Sequence, residues 1–254
     1  MNLLTTRTER LLQGLGEGVE LLLQSVFWFR SVPRSLDKIQ NHLLEFGNAT
    51  LPIASLAALF IGGVLALQTG SRLAAYGLEG TIGGIVGLSM IKELGPVMTA
   101  LIVAGRVGSA IAAEIGAMNV YEEIDALKTL DINPVRYLVM PRLVAALIAM
   151  PALCMYVDVV GLVGGAVVSA VNPKISVSIH QFVLNFQELV KFSDVMDSVI
   201  KSVVFGIAVS ITCCYIGLKT TGGPEEIGRA VTRAVVLSFM FIFVLNYLIT
   251  RALM

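Results

Sequence analysis

The sequence predicts an all-α integral membrane protein with about five transmembrane helices, on the strength of three observations. Hydrophobic residues make up 56% of the 254 positions and charged ones only 14%, where a soluble domain carries about 25% charge. Mean hydropathy is +0.83. The apolar residues gather in runs close to the ~20 that an α-helix needs to cross hydrocarbon, and a soluble domain of this length could not hide them.

Residues 1–46 come first and are not a span. Leu11, Leu12, Leu15, Val19, Leu22, Leu23 and Val26 fall on one helical stripe, with Arg10, Gln13, Glu17, Glu20 and Gln24 opposite. This pattern predicts an amphipathic interfacial helix in the headgroup plane, anchored by Trp28, Phe29 and Arg30. A soluble helix packed on a partner is the alternative. Residues 47–254 form the membrane domain. No charge lies between Glu45 and Arg72, which sets the first span at about 48–68. The second, about 81–107, carries Lys92 and Glu93 near its middle, and the third, about 143–171, holds the single charge Asp158. The third is long enough to imply tilt. The fourth opens at Lys201 and covers about 201–218, and the fifth covers about 234–251. Small residues at helix-packing spacing (Gly83 with Gly87, Ala104 with Gly108, Gly161 with Gly165) let spans approach closely where lipid supplies no hydrophobic drive.

An odd span count puts the termini on opposite sides. With the N-terminus inside, the inner segments hold Arg7, Arg10, Arg30, Arg34, Lys38, Arg106, Lys128, Arg136, Arg142, Lys219, Arg229 and Arg233. The outer ones hold Arg72, Lys174, Lys191, Lys201 and Arg251. That bias predicts a cytoplasmic N-terminus and an outer C-terminus.

Several function classes are disfavoured. Lys plus Arg equals Asp plus Glu at 18 each, so no basic excess suggests a nucleic-acid partner. There is no Gly-Lys dipeptide and therefore no phosphate loop of the G-x-x-x-x-G-K-[ST] type. His42 and His180 stand far apart, and Cys154, Cys213 and Cys214 sit in apolar runs without zinc spacing. No catalytic residue, metal site or cofactor is expected, and no cleaved signal.

The loop after the second span is the most informative stretch. Glu114, Glu122, Glu123, Asp125 and Asp131 interleave with Ile115, Met118, Val120, Ile124, Leu127 and Leu130. The spacing predicts an amphipathic helix over about 113–132, stopped by Asn133 before Pro134. It is acidic on the cytoplasmic side, so anionic lipid does not attract it. A helix docked in a protein groove accounts for both faces, and a short solvated connector is the alternative.

The run EIGAMNVYEEIDAL, with KELGPVMTALIVAGRVGSAIAAEIGAM upstream and NPVRYLVMPR downstream, resembles the signature of the MlaE family of bacterial lipid ABC transporter permeases. IKSVVFG and TTGGPEEIGRAVTRAVV resemble the family's fourth and fifth spans, and the similarity covers about Gly47 to Leu253. The resemblance implies a homodimer in the bacterial inner membrane, bound to a cytoplasmic ABC ATPase that holds the ATP. It also implies a periplasmic MCE lipid-binding protein, in some systems a STAS-domain protein, and glycerophospholipid as cargo moved between inner membrane and outer envelope. The helix at 113–132 then serves as a coupling helix, with Glu114, Met118, Glu122, Glu123 and Asp125 as its ATPase contacts. The Gly222-Gly223-Pro224 turn, followed by Glu225 and Glu226, is a further cytoplasmic contact point.

An ionisable group within a span costs about 2.5–3.5 kcal/mol on insertion scales and should face a cavity or partner. Lys92 and Glu93 point about 100° apart, so Lys92 is expected to meet an acid on another helix or a lipid phosphate. Lys201 could pair with Asp194 or Glu93, and Asp158 needs a partner or water. Lys92, Glu93 and Lys201 are the candidate lining of a lipid pathway, with a structural ion pair as the alternative. Two other functions stand beside this reading: an ion- or proton-coupled secondary carrier titrating Glu93 and Asp158, and a scaffold for a periplasmic lipid-binding protein.

Overall fold

The computed structural model describes residues 2–48, 50–173 and 175–253, and every described element is a helix. Five helical stretches are long and apolar enough to cross a membrane: Leu36–Ala75, Glu79–Val120, Val135–Val171, Phe192–Leu218 and Pro224–Leu253. All five extend beyond the edges expected from sequence at one end or both, while the expected C-terminal edges of the third and fourth, 171 and 218, are those observed. Charged residues delimited those expected edges, but a helix satisfies its own backbone and continues through a charge whose side chain finds a partner. Lys201 therefore lies well inside its helix instead of opening it, and Arg142 belongs to the third span instead of the preceding loop.

The helices in order are α1 (Asn2–Phe27), α2 (Leu36–Gly47), α3 (Leu51–Ala75), α4 (Ile82–Ser89), α5 (Gly95–Val103), α6 (Ser109–Val120), α7 (Glu123–Thr129), α8 (Met140–Val171), α9 (Ile179–Leu189), α10 (Phe192–Leu218) and α11 (Pro224–Leu253). The amphipathic stripe of the N-terminal region falls within α1, and α2 follows it after a 3₁₀ turn at Trp28–Arg34 that contains Pro33. Two π turns, Met90–Leu94 and Ala104–Gly108, interrupt the second span, and a third, Val135–Val139, opens the third span. Inserted turns of this kind re-aim side chains and recur at functional sites.

The helix expected at 113–132 is corrected to two pieces. Its first half continues the second span as α6, and α7 is a separate short helix. Between them Glu122 adopts a left-handed backbone, φ +61°, a conformation that breaks the ladder and that side chains other than Gly, Asn and Asp rarely take. The repeat of apolar residues on either side disguises this break in the sequence.

The chain divides into two compact units. The first contains Met1–Leu44, Ala104–Leu147 and Gly206–Phe241. Here α1 buries Leu21 and Ser25, and of the described members of the predicted apolar stripe it leaves Val19, Leu23 and Val26 exposed and Leu22 half-buried. The side chains of Arg7, Arg10, Leu11, Leu12, Leu15 and Arg34, and the whole of Lys174, lie outside the described residues. Trp28 stacks under the Arg136 guanidinium at 5.3 Å, and Lys38 stands over the Tyr137 ring.

The second unit contains Glu45–Val103, Ile148–Phe205 and Ile242–Met254. Its core joins Ala66, Ile82, Val86, Met90, Ala166, Ile175, Val177 and Phe182. Glycine makes this packing possible. A Cβ on Gly62 would stand 1.9 Å from the Gly161 carbonyl oxygen, and one on Gly83 would stand 2.1 Å from that of Phe182. The Gly83–Gly87 stripe thus receives α9, a helix the sequence reading does not anticipate, while Gly161 belongs to the α3–α8 crossing.

Candidate functional site

Within the second unit, the π turn at Met90–Leu94 gathers the charges that composition marked as costly. The Lys92 Nζ lies 2.8 Å from Asp194 Oδ1, and the other Asp194 oxygen accepts the Lys191 backbone N–H at 2.9 Å. Lys201 Nζ donates to Glu93 Oε1 and to the Lys92 carbonyl, both at 2.7 Å. Glu93 is further held by Asn246 Nδ2 at 2.8 Å and Thr250 Oγ1 at 2.9 Å, both from α11. Three helical segments, the π turn, α10 and α11, therefore meet at two carboxylates and two ammonium groups of balanced charge.

Burial within this cluster is uneven. The Lys201 side chain is 3% exposed, whereas Lys92 and Glu93 are 47% and 41% exposed. Lys92 and Glu93 thus offer one cation and one anion at the protein surface, and Lys201 holds them from behind. Lys201 takes Glu93 of its two predicted partners, leaving Asp194 to Lys92. Asn246 and Thr250 escaped the sequence reading, although polar residues inside the apolar fifth run were a signal for them.

The first unit carries the other set of candidates. Glu114 Oε2 pairs with Arg142 Nη2 at 2.7 Å, and Arg142, 2% exposed, also donates from Nη1 to the Leu138 carbonyl at 2.8 Å. Glu114 thus ties α6 to α8. Met118 is half-buried, Glu122, Glu123 and Asp125 are exposed, and Ile124 is buried beneath them. Asp125 pairs with Lys128 at 2.7 Å. Tyr121 and Leu130, 63% and 69% exposed, border the acids with apolar surface. The structure places Met118, Glu122, Glu123 and Asp125 around the α6–α7 break, while Glu114 is engaged one turn earlier.

Two anchors of this region were not anticipated. Asn119 Nδ2 donates to the carbonyls of Leu218 and Thr220, at 3.1 and 2.8 Å, and so closes the end of α10. Glu17 of α1 accepts from the Tyr215 hydroxyl at 2.7 Å and pairs with Lys219. The hydrogen bond from Lys219 holds the Glu17 carboxyl below the usual carboxylate range, and the same contact holds Lys219 above the usual lysine range. After Gly222, whose φ is +117°, Arg229 binds Glu225 and Glu226 at 2.7 Å each and occupies both acids of that turn. No cluster of three or more His, Cys, Asp or Glu able to hold a metal occurs among the described residues.

A family model described as Permease MlaE matches residues 39–252, from α2 to the end of α11. The chain belongs to the MlaE permease family. With its five apolar helices, this permease is a multi-pass membrane protein. It is 42% identical over 221 residues to a probable ABC transporter permease protein of Rickettsia typhi, covering 87% of this chain and 85% of the relative. It is 37% identical to the intermembrane phospholipid transport system permease protein MlaE of Haemophilus influenzae, covering 83% and 80% of the two chains. To the chloroplastic protein trigalactosyldiacylglycerol 1 of Arabidopsis thaliana it is 33% identical, covering 92% of this chain and 65% of the relative.

Proposed function

We propose that this permease is the membrane subunit of an ATP-driven complex that moves glycerophospholipids between the inner membrane and the outer envelope and maintains outer-membrane lipid asymmetry. The observation that carries the proposal is its similarity, over most of both chains, to a permease named for intermembrane phospholipid transport. The subunit holds no cofactor of its own. It works as a homodimer, with its N-terminus in the cytoplasm and its C-terminus in the periplasm, alongside a cytoplasmic ABC ATPase, a periplasmic MCE lipid-binding protein and a STAS-domain protein.

Lys92, Glu93 and Lys201 line the lipid pathway in this proposal. The half-exposed ammonium of Lys92 and carboxylate of Glu93 match the opposite charges of a zwitterionic headgroup, and buried Lys201 fixes Glu93 in place. The acidic shelf of Glu122, Glu123 and Asp125, with Met118 and Tyr121 beside it, is the ATPase contact, and Glu114 transmits its motion to α8 through Arg142. Force transfer needs a contact with two arrangements, and the left-handed joint at Glu122 provides a hinge.

Reconstitution tests the proposal. Vesicles holding the permease, its ATPase and ATP should transfer labelled phospholipid to an acceptor, and vesicles holding the permease alone should not. Equal transfer by the isolated permease without nucleotide would overturn it.

A further inference from the structure

The third span buries a carboxyl group that the charged cluster does not use. Asp158 of α8 is 7% exposed. Its Oδ2 accepts from Ser198 Oγ of α10 at 3.4 Å and faces the Cys154 thiol at 3.9 Å, and Cys154 lies 3.3 Å from the same hydroxyl. Its Oδ1 is pressed against Gly95 of α5, where a Cβ would stand 1.7 Å from it. That oxygen has no hydrogen-bond partner among the described residues, and the Thr99 hydroxyl, 1% exposed, lies beside the Cys154 thiol.

The charged groups on neighbouring segments are taken up elsewhere. Lys92 and Glu93 of the π turn are bound to Asp194 and Lys201 of α10, and Asp197 of α10 acts on Lys92. No ion pair reaches Asp158 among the described residues. A carboxylate out of water with two weak donors and no counter-charge is more costly than those bonds return. A positive charge must therefore join it. The single carboxylate supplies one negative charge, which matches a monovalent cation and leaves half the charge of calcium or magnesium unbalanced.

We propose that Asp158, with Ser198, Thr99 and Cys154, forms a binding site for one monovalent cation, a proton or Na⁺. The site adjoins the pathway cluster through the backbone, because the Gly95 N–H donates to the Met90 carbonyl and closes the π turn that carries Lys92 and Glu93. The proposal concerns residues outside the lipid pathway and does not depend on the cargo.

Thermal unfolding of the full-length permease in detergent micelles tests the site. Sodium chloride replaces choline chloride at constant ionic strength, over a series of pH values, for the wild type, Asp158→Asn and Ser198→Ala. With Na⁺ as the cation, wild-type melting rises with sodium and Asp158→Asn is insensitive. With a proton as the cation, wild-type melting ignores sodium but falls as pH rises, and Asp158→Asn loses that fall. Ser198→Ala keeps the carboxyl and should displace the midpoint of whichever response is seen. Wild-type melting that follows neither sodium nor pH, or a response that persists in Asp158→Asn, overturns the proposal. Should Asp158→Asn fail to fold, an unmoved midpoint in Ser198→Ala overturns it instead.

Discussion

Cutting the Glu93–Lys201 pair from its two ends should destabilise the permease unequally. Lys201 is 3% exposed and Glu93 41% exposed. Glu93→Ala leaves a buried ammonium with only the Lys92 carbonyl as acceptor. Truncating one partner of a fully buried pair costs about 3–5 kcal/mol. Glu93 is only partly buried, so a smaller loss, about 2 kcal/mol, is expected here. Lys201→Met strands nothing comparable, because Glu93 keeps Asn246 and Thr250 as donors. Its cost should be about 1 kcal/mol, one charge-assisted hydrogen bond lost. For a chain of this size the difference corresponds to roughly 2–4 °C in melting temperature. Differential scanning fluorimetry in micelles reads it directly. Equal losses, or a larger one for Lys201→Met, would refute the burial reasoning. Glu93→Lys extends the test to function: phospholipid transfer should stop while the complex still assembles, and normal transfer by a normally assembled complex removes Glu93 from the pathway.

Three further outcomes are expected. Gly62→Ala places a methyl group 1.9 Å from the Gly161 carbonyl oxygen, so it should cost about 1–3 kcal/mol or more by overpacking. Gly105→Ala, with open space around its Cβ position, should be tolerated, and a melting comparison of the two decides. Replacing Glu122 and Glu123 by Lys should weaken co-purification of the ATPase or uncouple its hydrolysis from lipid transfer; unchanged binding together with unchanged lipid-stimulated hydrolysis counts against the acidic shelf. The contact of α1 with Lys219 should depend on pH. The folded state holds the Glu17 carboxyl low, so the contact's stabilisation is present above the ordinary carboxylate range and is lost as pH falls through the depressed value. Labelling of a single cysteine introduced at Gly16 should therefore quicken in acid, and Glu17→Gln should abolish that dependence.

The five spans were legible because their signal is additive. Each is a run of apolar residues whose transfer to hydrocarbon depends little on which neighbour it meets. Edges were less legible, since Arg142, Lys201 and Arg233 read as boundaries until the partners that let a charge enter a helix are known. The acidic segment after the second span was found by its pattern, but its division at Glu122 was hidden. Backbone sign is set by how the flanking helices must leave one another, and Glu is not a residue that announces a left-handed turn. Lys92, Glu93 and Lys201 were singled out as lone charges in apolar runs. Asn246, Thr250 and Asn119, being neutral, left only a weak trace.

Sequence alone determined that the chain is helical, that it enters the bilayer, and that a few ionisable groups must be neutralised there, because these follow from transfer energies summed along the chain. Only the tertiary structure decided which charge meets which: Lys92 with Asp194, Lys201 with Glu93, and Glu114 with Arg142. It also decided that Gly83 receives α9 while Gly62 receives Gly161. Pairings of this kind join residues up to about a hundred positions apart, and one-dimensional spacing carries no information about which helix faces will meet.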